Sequence, residues 1–121
     1  MAVVFFLAGV AVSFASPRKR LDPGTNTCRI FTFQNLQDGQ KIFKTVCKSC
    51  HHQGNSLGAQ FLHTESKGMR AWNRLFLEKY AKCAKDGSWD ALSEDDLLKL
   101  NDYLFRYASD TYDPNDAADC G

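Results

Sequence analysis

Five consecutive residues, Cys47 to His51, constrain this chain more than any other feature, because they form a C-x-x-C-H motif. Two cysteines at this spacing lie on one face of a helix, so both thiols can reach the same partner. The histidine that follows can then place an imidazole nitrogen beside that partner. This is the attachment pattern of c-type haem, in which both thiols bond to the porphyrin and the imidazole binds the iron. The motif predicts one covalent haem c on Cys47 and Cys50, with His51 as the proximal iron ligand.

Two other kinds of site also use a C-x-x-C pair. A structural zinc site needs a second ligand pair at similar spacing, but the other cysteines, Cys28, Cys83 and Cys120, stand far apart in the sequence. A thioredoxin-like redox pair is expected beside a βαβ pattern, whereas the residues around this motif have helical periodicity. The sequence therefore favours haem over zinc and over a redox dithiol.

The first residues resemble an export signal. Residues 3–12 form a short apolar run, and Ser13-Phe14-Ala15 follows it as a small-x-small cleavage site. We predict a secretory signal peptide at residues 1–15 and a periplasmic or extracellular protein. Because no Lys or Arg precedes the run, the alternative is that the segment is retained as a membrane anchor, although it is short for a bilayer span.

Charge is balanced overall but unevenly distributed. The formal net charge of +1 excludes a generally basic nucleic-acid-binding protein. An acidic tail at residues 109–121 contrasts with a basic stretch made of Lys67, Arg70, Arg74, Lys79, Lys82 and Lys85. We expect this Lys67–Lys85 cluster to dock acidic redox partner proteins. The alternative is an ordinary solvated helix face.

Cysteine usage suggests one disulfide, since disulfides persist in exported proteins. We expect Cys83 to pair with Cys120, which would tie down the tail. Cys28 with Cys120 is the second candidate, because chain ends often lie close together.

Hydrophobic periodicity predicts an all-α fold with three main helices. Residues 16–35 contain Pro23 and Gly24 and read as an extended N-terminal arm. The helices are expected over 36–50, 67–83 and 93–108, the last starting with a capping box at Ser93. No segment alternates at period two, so no sheet is expected. Three helices bury a small core, and a bound haem would supply the missing apolar volume.

Residues 36–108 resemble a class I cytochrome c. The family's first helix has a Gly and an aromatic four residues apart before the haem cysteines, matched here by Gly39 and Phe43. Without a side chain, Gly39 permits a second helix to cross closely. The segment Leu100–Leu104 is similar to the family's last helix, which makes that crossing. The resemblance implies a small bundle of three main helices wrapped around one haem.

The resemblance also extends to other haem contacts. Residues 59–62 stand where the family often has Pro-x-Leu beneath the proximal histidine, although the Pro is absent. Trp72 and Tyr80 resemble residues of the family's middle helix. There the Trp points at a haem propionate and the Tyr lies on the distal side, so the resemblance implies that both residues contact the cofactor.

The sixth iron ligand departs from the family pattern. The family usually supplies a Met between the middle and last helices, but residues 81–92 contain no Met and no His. Met69 is our first candidate for the distal ligand and His63 the alternative. An unusual group such as Cys83 or a Lys, a residue of a neighbouring subunit, and an open site complete the possibilities.

The resemblance implies a one-electron carrier that cycles between Fe(II) and Fe(III), and not an enzyme. Two other functions remain open because the distal ligand is undefined. One is a haem protein that binds a small ligand or acts on it at an open iron. The other is a subunit of a larger redox assembly or polymer, held by self-association or by a membrane tether.

Overall fold

The computed structural model describes residues 16–109; the predicted signal peptide at 1–15 and the tail from residue 110 onward lie outside the described residues. Two strands come first, β1 (Lys19–Asp22) and β2 (Thr27–Ile30). Five α-helical segments follow: α1 (Phe33–Ile42), α2 (Lys48–Cys50), α3 (Met69–Glu78), α4 (Lys82–Lys85) and α5 (Glu94–Arg106). A π-helical turn, Phe43–Cys47, joins α1 to α2, and a 3₁₀ turn, Thr64–Ser66, precedes α3. The described chain is therefore mostly helical, as predicted.

The first long helix begins earlier than predicted and contains a wide turn. Thr32 caps α1, because its hydroxyl accepts a hydrogen bond from the Asn35 amide at 3.1 Å. In the π turn, the Lys48 amide donates to the carbonyl of Phe43, five residues earlier. Such turns insert one extra residue into a helix and occur often at functional sites. Here the wide turn ends at Cys47, the first cysteine of the motif.

Helix α5 confirms its predicted capping box. The Ser93 hydroxyl accepts from the Asp96 amide at 3.0 Å, and the Asp96 carboxylate accepts from the Ser93 amide at 3.1 Å. These two bonds satisfy amide groups that lack partners inside the helix.

The second helix is shorter than predicted. We expected one helix from 67 to 83, but α3 ends at Glu78, because Lys79 adopts a left-handed conformation with φ of 49°. The chain is extended at Ala81 before the short α4 begins. The apolar stripe that suggested a single helix therefore runs across a turn.

The prediction of no sheet is wrong, because residues of the N-terminal arm form two paired strands. Strands β1 and β2 form an antiparallel hairpin in which Lys19 faces Ile30 and Leu21 faces Cys28. The residues that β1 buries are Arg20 and Asp22, which are 2% and 5% exposed. Strand patterns are recognised by buried apolar residues, and this hairpin buries charged ones instead.

The hairpin is fastened to α5 by a buried network of charges. Asp102 accepts hydrogen bonds from Arg20 Nε at 2.7 Å and from Arg29 Nε at 3.0 Å. Arg20 also donates to Asp22 at 2.8 Å. Burial alone would raise the pKa of Asp22, but hydrogen bonds from Arg20 and Thr25 outweigh it and hold this pKa below its ordinary 3.8. Asp22 therefore stabilises the fold above pH 3.8, and this contribution is lost as the pH falls through the lowered pKa.

The predicted close crossing at Gly39 is confirmed. A Cβ atom at this position would overlap the backbone carbonyl of Lys99 and lie 2.7 Å from the Cβ of Tyr103. Helices α1 and α5 are therefore in backbone contact, which a side chain at position 39 would prevent.

The hydrophobic core lies between these crossed helices and α3. Its buried members are Phe43, Trp72, Leu75, Trp89, Leu97, Leu100 and Leu104. Phe76 stacks on Trp89, which follows α4 in the chain, with ring centroids 5.4 Å apart. Within residues 16–109 we find no helix with the length and apolar character needed to cross a membrane.

Candidate functional site

The three residues of the C-x-x-C-H motif lie at the C-terminal end of the first long helix. The π turn ends at Cys47, α2 ends at Cys50, and His51 leaves the helix as its C-cap residue. Cys47 and Cys50 are free and half-buried, and Cys47 packs against the core. Two free thiols and one imidazole beside an apolar core are the donor set that a covalent haem requires. The residues fit the group.

The imidazole of His51 has a defined orientation. Its Nδ1 lies 2.6 Å from the backbone carbonyl oxygen of Gln60. Because a carbonyl oxygen can only accept, Nδ1 carries the hydrogen and donates it. In the neutral ring the lone pair therefore lies on Nε2. A metal-binding histidine commonly donates its other ring N–H to a carbonyl in this way, which fixes the tautomer and the ring orientation.

The loop after His51 is held against the motif. The amide of Leu62 donates to the carbonyl oxygen of His51 at 3.1 Å. Asn55 organises the middle of the loop, since its side chain accepts from the Ala59 amide at 3.0 Å and donates to the Ala59 carbonyl at 2.7 Å. These bonds set the position of the adjacent Gln60 carbonyl, which meets His51.

Burial changes the chemistry of Cys47. Burial, reinforced by the neighbouring Cys83, raises the pKa of the Cys47 thiol from 9.0 to about 12. The thiolate is the nucleophilic form of cysteine, and the raised pKa disfavours this form at Cys47.

Trp72 and Tyr80, the two predicted cofactor contacts, have different environments. Trp72 is only 1% exposed, and its indole N–H donates to the Thr64 carbonyl at 2.8 Å. This bond occupies the one donor that a propionate contact would use. Tyr80 is 44% exposed and follows the end of α3, with the Arg74 guanidinium 5.6 Å from its ring centroid. The structure does not bring these two side chains together.

The two candidate distal ligands also differ. Met69 is half-buried and is the first residue of α3, one turn before the core residue Trp72. His63 is exposed and caps the 3₁₀ turn, where its Nδ1 accepts from the Glu65 amide at 3.2 Å. The neighbouring Leu62 is hydrogen-bonded to the His51 backbone. His63 therefore belongs to the same loop as Gln60, whose carbonyl contacts the His51 ring.

The preferred disulfide is wrong. Cys83 is free, as are Cys47 and Cys50, whereas Cys28 is disulfide-bonded. The partner of Cys28 therefore lies outside the described residues, as does Cys120.

The Lys67–Lys85 cluster is partly neutralised. Arg74 forms an ion pair with Glu78 at 2.9 Å, and Lys79 forms one with Glu94 at 3.1 Å. These pairs reduce the positive charge that the cluster offers to a partner. By contrast, the sequence from Gly39 to Thr64, which contains the motif, has no Asp or Glu.

Gln60 is the residue of the site whose individual role the sequence did not reveal. Its contribution is a backbone carbonyl, which every residue type provides, so composition carries no signal for it. Only the correspondence of residues 59–62 with the family's Pro-x-Leu segment pointed to this part of the loop.

In the part of the chain that the structure describes, no three His, Cys, Asp or Glu side chains converge as ligands for a free metal ion. Comparison of the chain with protein-family models, with curated proteins and with solved structures gave no match.

Proposed function

We propose that this protein is an exported monohaem c-type cytochrome that carries one electron at a time between redox partners. The observation that carries the proposal is the hydrogen bond from His51 Nδ1 to the Gln60 carbonyl, which leaves the Nε2 lone pair available for a metal in the residue directly after Cys50. The bond supports the proposal because a metal-binding histidine commonly donates its other ring N–H to a carbonyl.

Each residue of the motif then has a definite task. Cys47 and Cys50 would hold haem c through thioether bonds, and His51 would bind its iron through Nε2. Bound haem supplies a one-electron Fe(II)/Fe(III) couple. The chain's own part is to orient the imidazole through Gln60, to exclude water with Phe43 and the rest of the core, and to keep the ligand from rotating.

Covalent attachment is the first test of this proposal. We expect acid–acetone extraction of the protein, produced with a haem-attachment system, to leave the colour with the polypeptide. The double substitution Cys47→Ser and Cys50→Ser removes both thioether positions, so the extracted polypeptide should be colourless. Cys83→Ser is the matched control and should retain the colour. Colour in the acetone phase of the unchanged protein would contradict the proposal.

For the distal ligand we propose Met69 over His63. His63 caps the 3₁₀ turn, and its neighbour Leu62 is hydrogen-bonded to the His51 backbone. By contrast, Met69 is half-buried at the start of a core helix. A Met axial ligand suits a carrier of higher reduction potential.

The visible spectrum tests this assignment. We expect Met69→Ala to abolish the weak red-end absorption of thioether ligation in the ferric protein, while His63→Ala leaves it intact. If the iron becomes high-spin in His63→Ala but not in Met69→Ala, His63 would be the distal ligand. If neither substitution alters the spectrum, the distal site is open or is filled by another group, and small-ligand binding or an assembled oligomer would become the better account of function.

We further propose that acidic partner proteins dock at the Lys67–Lys85 cluster. With Arg74 and Lys79 engaged in ion pairs, this proposal relies mainly on Lys67, Lys82 and Lys85.

A further inference from the structure

Lys48, the first residue of α2 and one of the two residues between the motif cysteines, reaches across to the loop that follows His51. Its Nζ donates to the Leu62 carbonyl at 2.6 Å. The same ammonium lies 4.1 Å from the centroid of the Phe61 ring, well inside the range of a cation–π contact. One side chain of the motif therefore contacts two consecutive residues of the loop, directly after Gln60.

The hydrogen bond from Lys48 to Leu62 belongs to the stronger class of polar interaction. A hydrogen bond with a charged donor is roughly twice as strong as a neutral one, and the ring adds a further attraction for the cation. The chain between Gly39 and Thr64 has no carboxylate, so no nearby acid in this segment competes for the ammonium.

The backbone of Leu62 links Lys48 to His51, because it is hydrogen-bonded to both residues. The Leu62 amide donates to the His51 carbonyl at 3.1 Å, while its own carbonyl accepts from Lys48. Asn55 holds Ala59 at the other side of Gln60. The Gln60 carbonyl, which accepts the His51 ring proton, therefore lies between Ala59 and Leu62, whose positions are fixed by hydrogen bonds. Lys48 donates the charged hydrogen bond to Leu62.

We propose that Lys48 is a positioning residue for the proximal ligand: it fastens the 59–62 loop so that the Gln60 carbonyl stays on His51 Nδ1. The inference rests on the proposed haem function, since only a ligating imidazole needs this orientation. Lys48 would act on His51 indirectly, through Leu62 and Gln60.

Hydrogen exchange in the reduced holoprotein tests this role, with the His51 ring N–H and the Leu62 amide followed by nitrogen-15 NMR. Lys48→Met keeps the apolar stem but removes the charged donor. We expect it to accelerate exchange at both positions by about tenfold, the factor that corresponds to loss of one charge-assisted hydrogen bond at a half-buried site. Lys48→Arg should stay near the unchanged protein, because it keeps a cation and a donor.

Lys44→Met is the matched control, because Lys44 is an exposed lysine one turn earlier in the same long helix. It should leave both exchange rates unchanged. Equal acceleration in the Lys44 and Lys48 variants, or none in Lys48→Met, would overturn the proposal, as would an arginine variant that behaves like the methionine one. If Lys48→Met does not fold, Lys48→Gln replaces it with a neutral donor and should show a smaller acceleration in the same direction.

The acid–acetone extraction separates this inference from the proposed function. If the unchanged protein carries no covalent haem, the proposed function fails, and with it the reason for orienting His51. If haem is attached in all variants and the ring proton exchanges equally in each, the function stands and the role of Lys48 fails.

Discussion

Replacing Gly39 by Ala is expected to destabilise the protein by about 2 kcal/mol, the middle of the range for overpacking in a filled interior. The added methyl group would overlap the Lys99 carbonyl, which belongs to a helix backbone and cannot rotate away. Helix propensity alone predicts the opposite sign, because Ala is better than Gly inside a helix by about 1 kcal/mol. The sign of the change in unfolding free energy, measured by urea denaturation of the holoprotein, therefore decides between the two effects.

Gly24→Ala is the matched control for this crossing. A Cβ atom at Gly24 would lie 3.5 Å from an Asp22 oxygen and 3.7 Å from Leu77, which are ordinary contacts. We expect a change of less than about 0.5 kcal/mol there, as for most surface substitutions. A Gly39→Ala protein as stable as the control would show that α1 and α5 do not need their close approach.

The helices were predictable where local chemistry determines them. The capping box of Ser93 and Asp96 sets the start of α5, and Gly39 marks the crossing, so both features could be inferred from sequence. The end of α3 could not, because the apolar stripe continues through Tyr80 while the backbone turns at Lys79. The hairpin was missed because it buries the charged residues Arg20 and Asp22, and because Asp102, which fastens Arg20 to α5, lies 82 positions away in the sequence.

The candidate site, like the fold, has parts that the sequence predicts and parts that it does not. Two thiols and an imidazole are side chains at fixed spacing, so the motif predicts them directly. The orientation of the imidazole depends on a backbone carbonyl at Gln60, and the loop that carries it depends on Lys48 and Asn55. Contacts of this kind orient a residue of the motif but depend on how the folded chain brings the loop against the helix. No residue type at a fixed spacing identifies them in the sequence.

Replacing Asp102 by Ala is expected to destabilise the protein by about 3–5 kcal/mol, the usual cost of leaving buried charges without their partner. The side chains of Arg20 and Asp102 are both fully buried. Arg20 would keep Asp22 as a partner, and Arg29 is 18% exposed and can reach water. The lower half of the range is therefore the closer expectation. Urea denaturation followed by far-ultraviolet circular dichroism measures this change.

Asp95→Ala is the matched control, because Asp95 lies on the same helix and forms an ion pair with Lys99 at 3.0 Å while 67% exposed. An exposed pair of this kind contributes no more than about 1 kcal/mol, so the control should change stability far less than Asp102→Ala. Similar losses in the two variants would mean that the network does not hold the hairpin on α5. Asp102→Asn separates charge from shape, since it keeps one carbonyl acceptor but cannot neutralise two guanidinium groups. It should therefore lie between the unchanged protein and the alanine variant. An Asn variant as stable as the unchanged protein would reduce the role of Asp102 to hydrogen bonding alone.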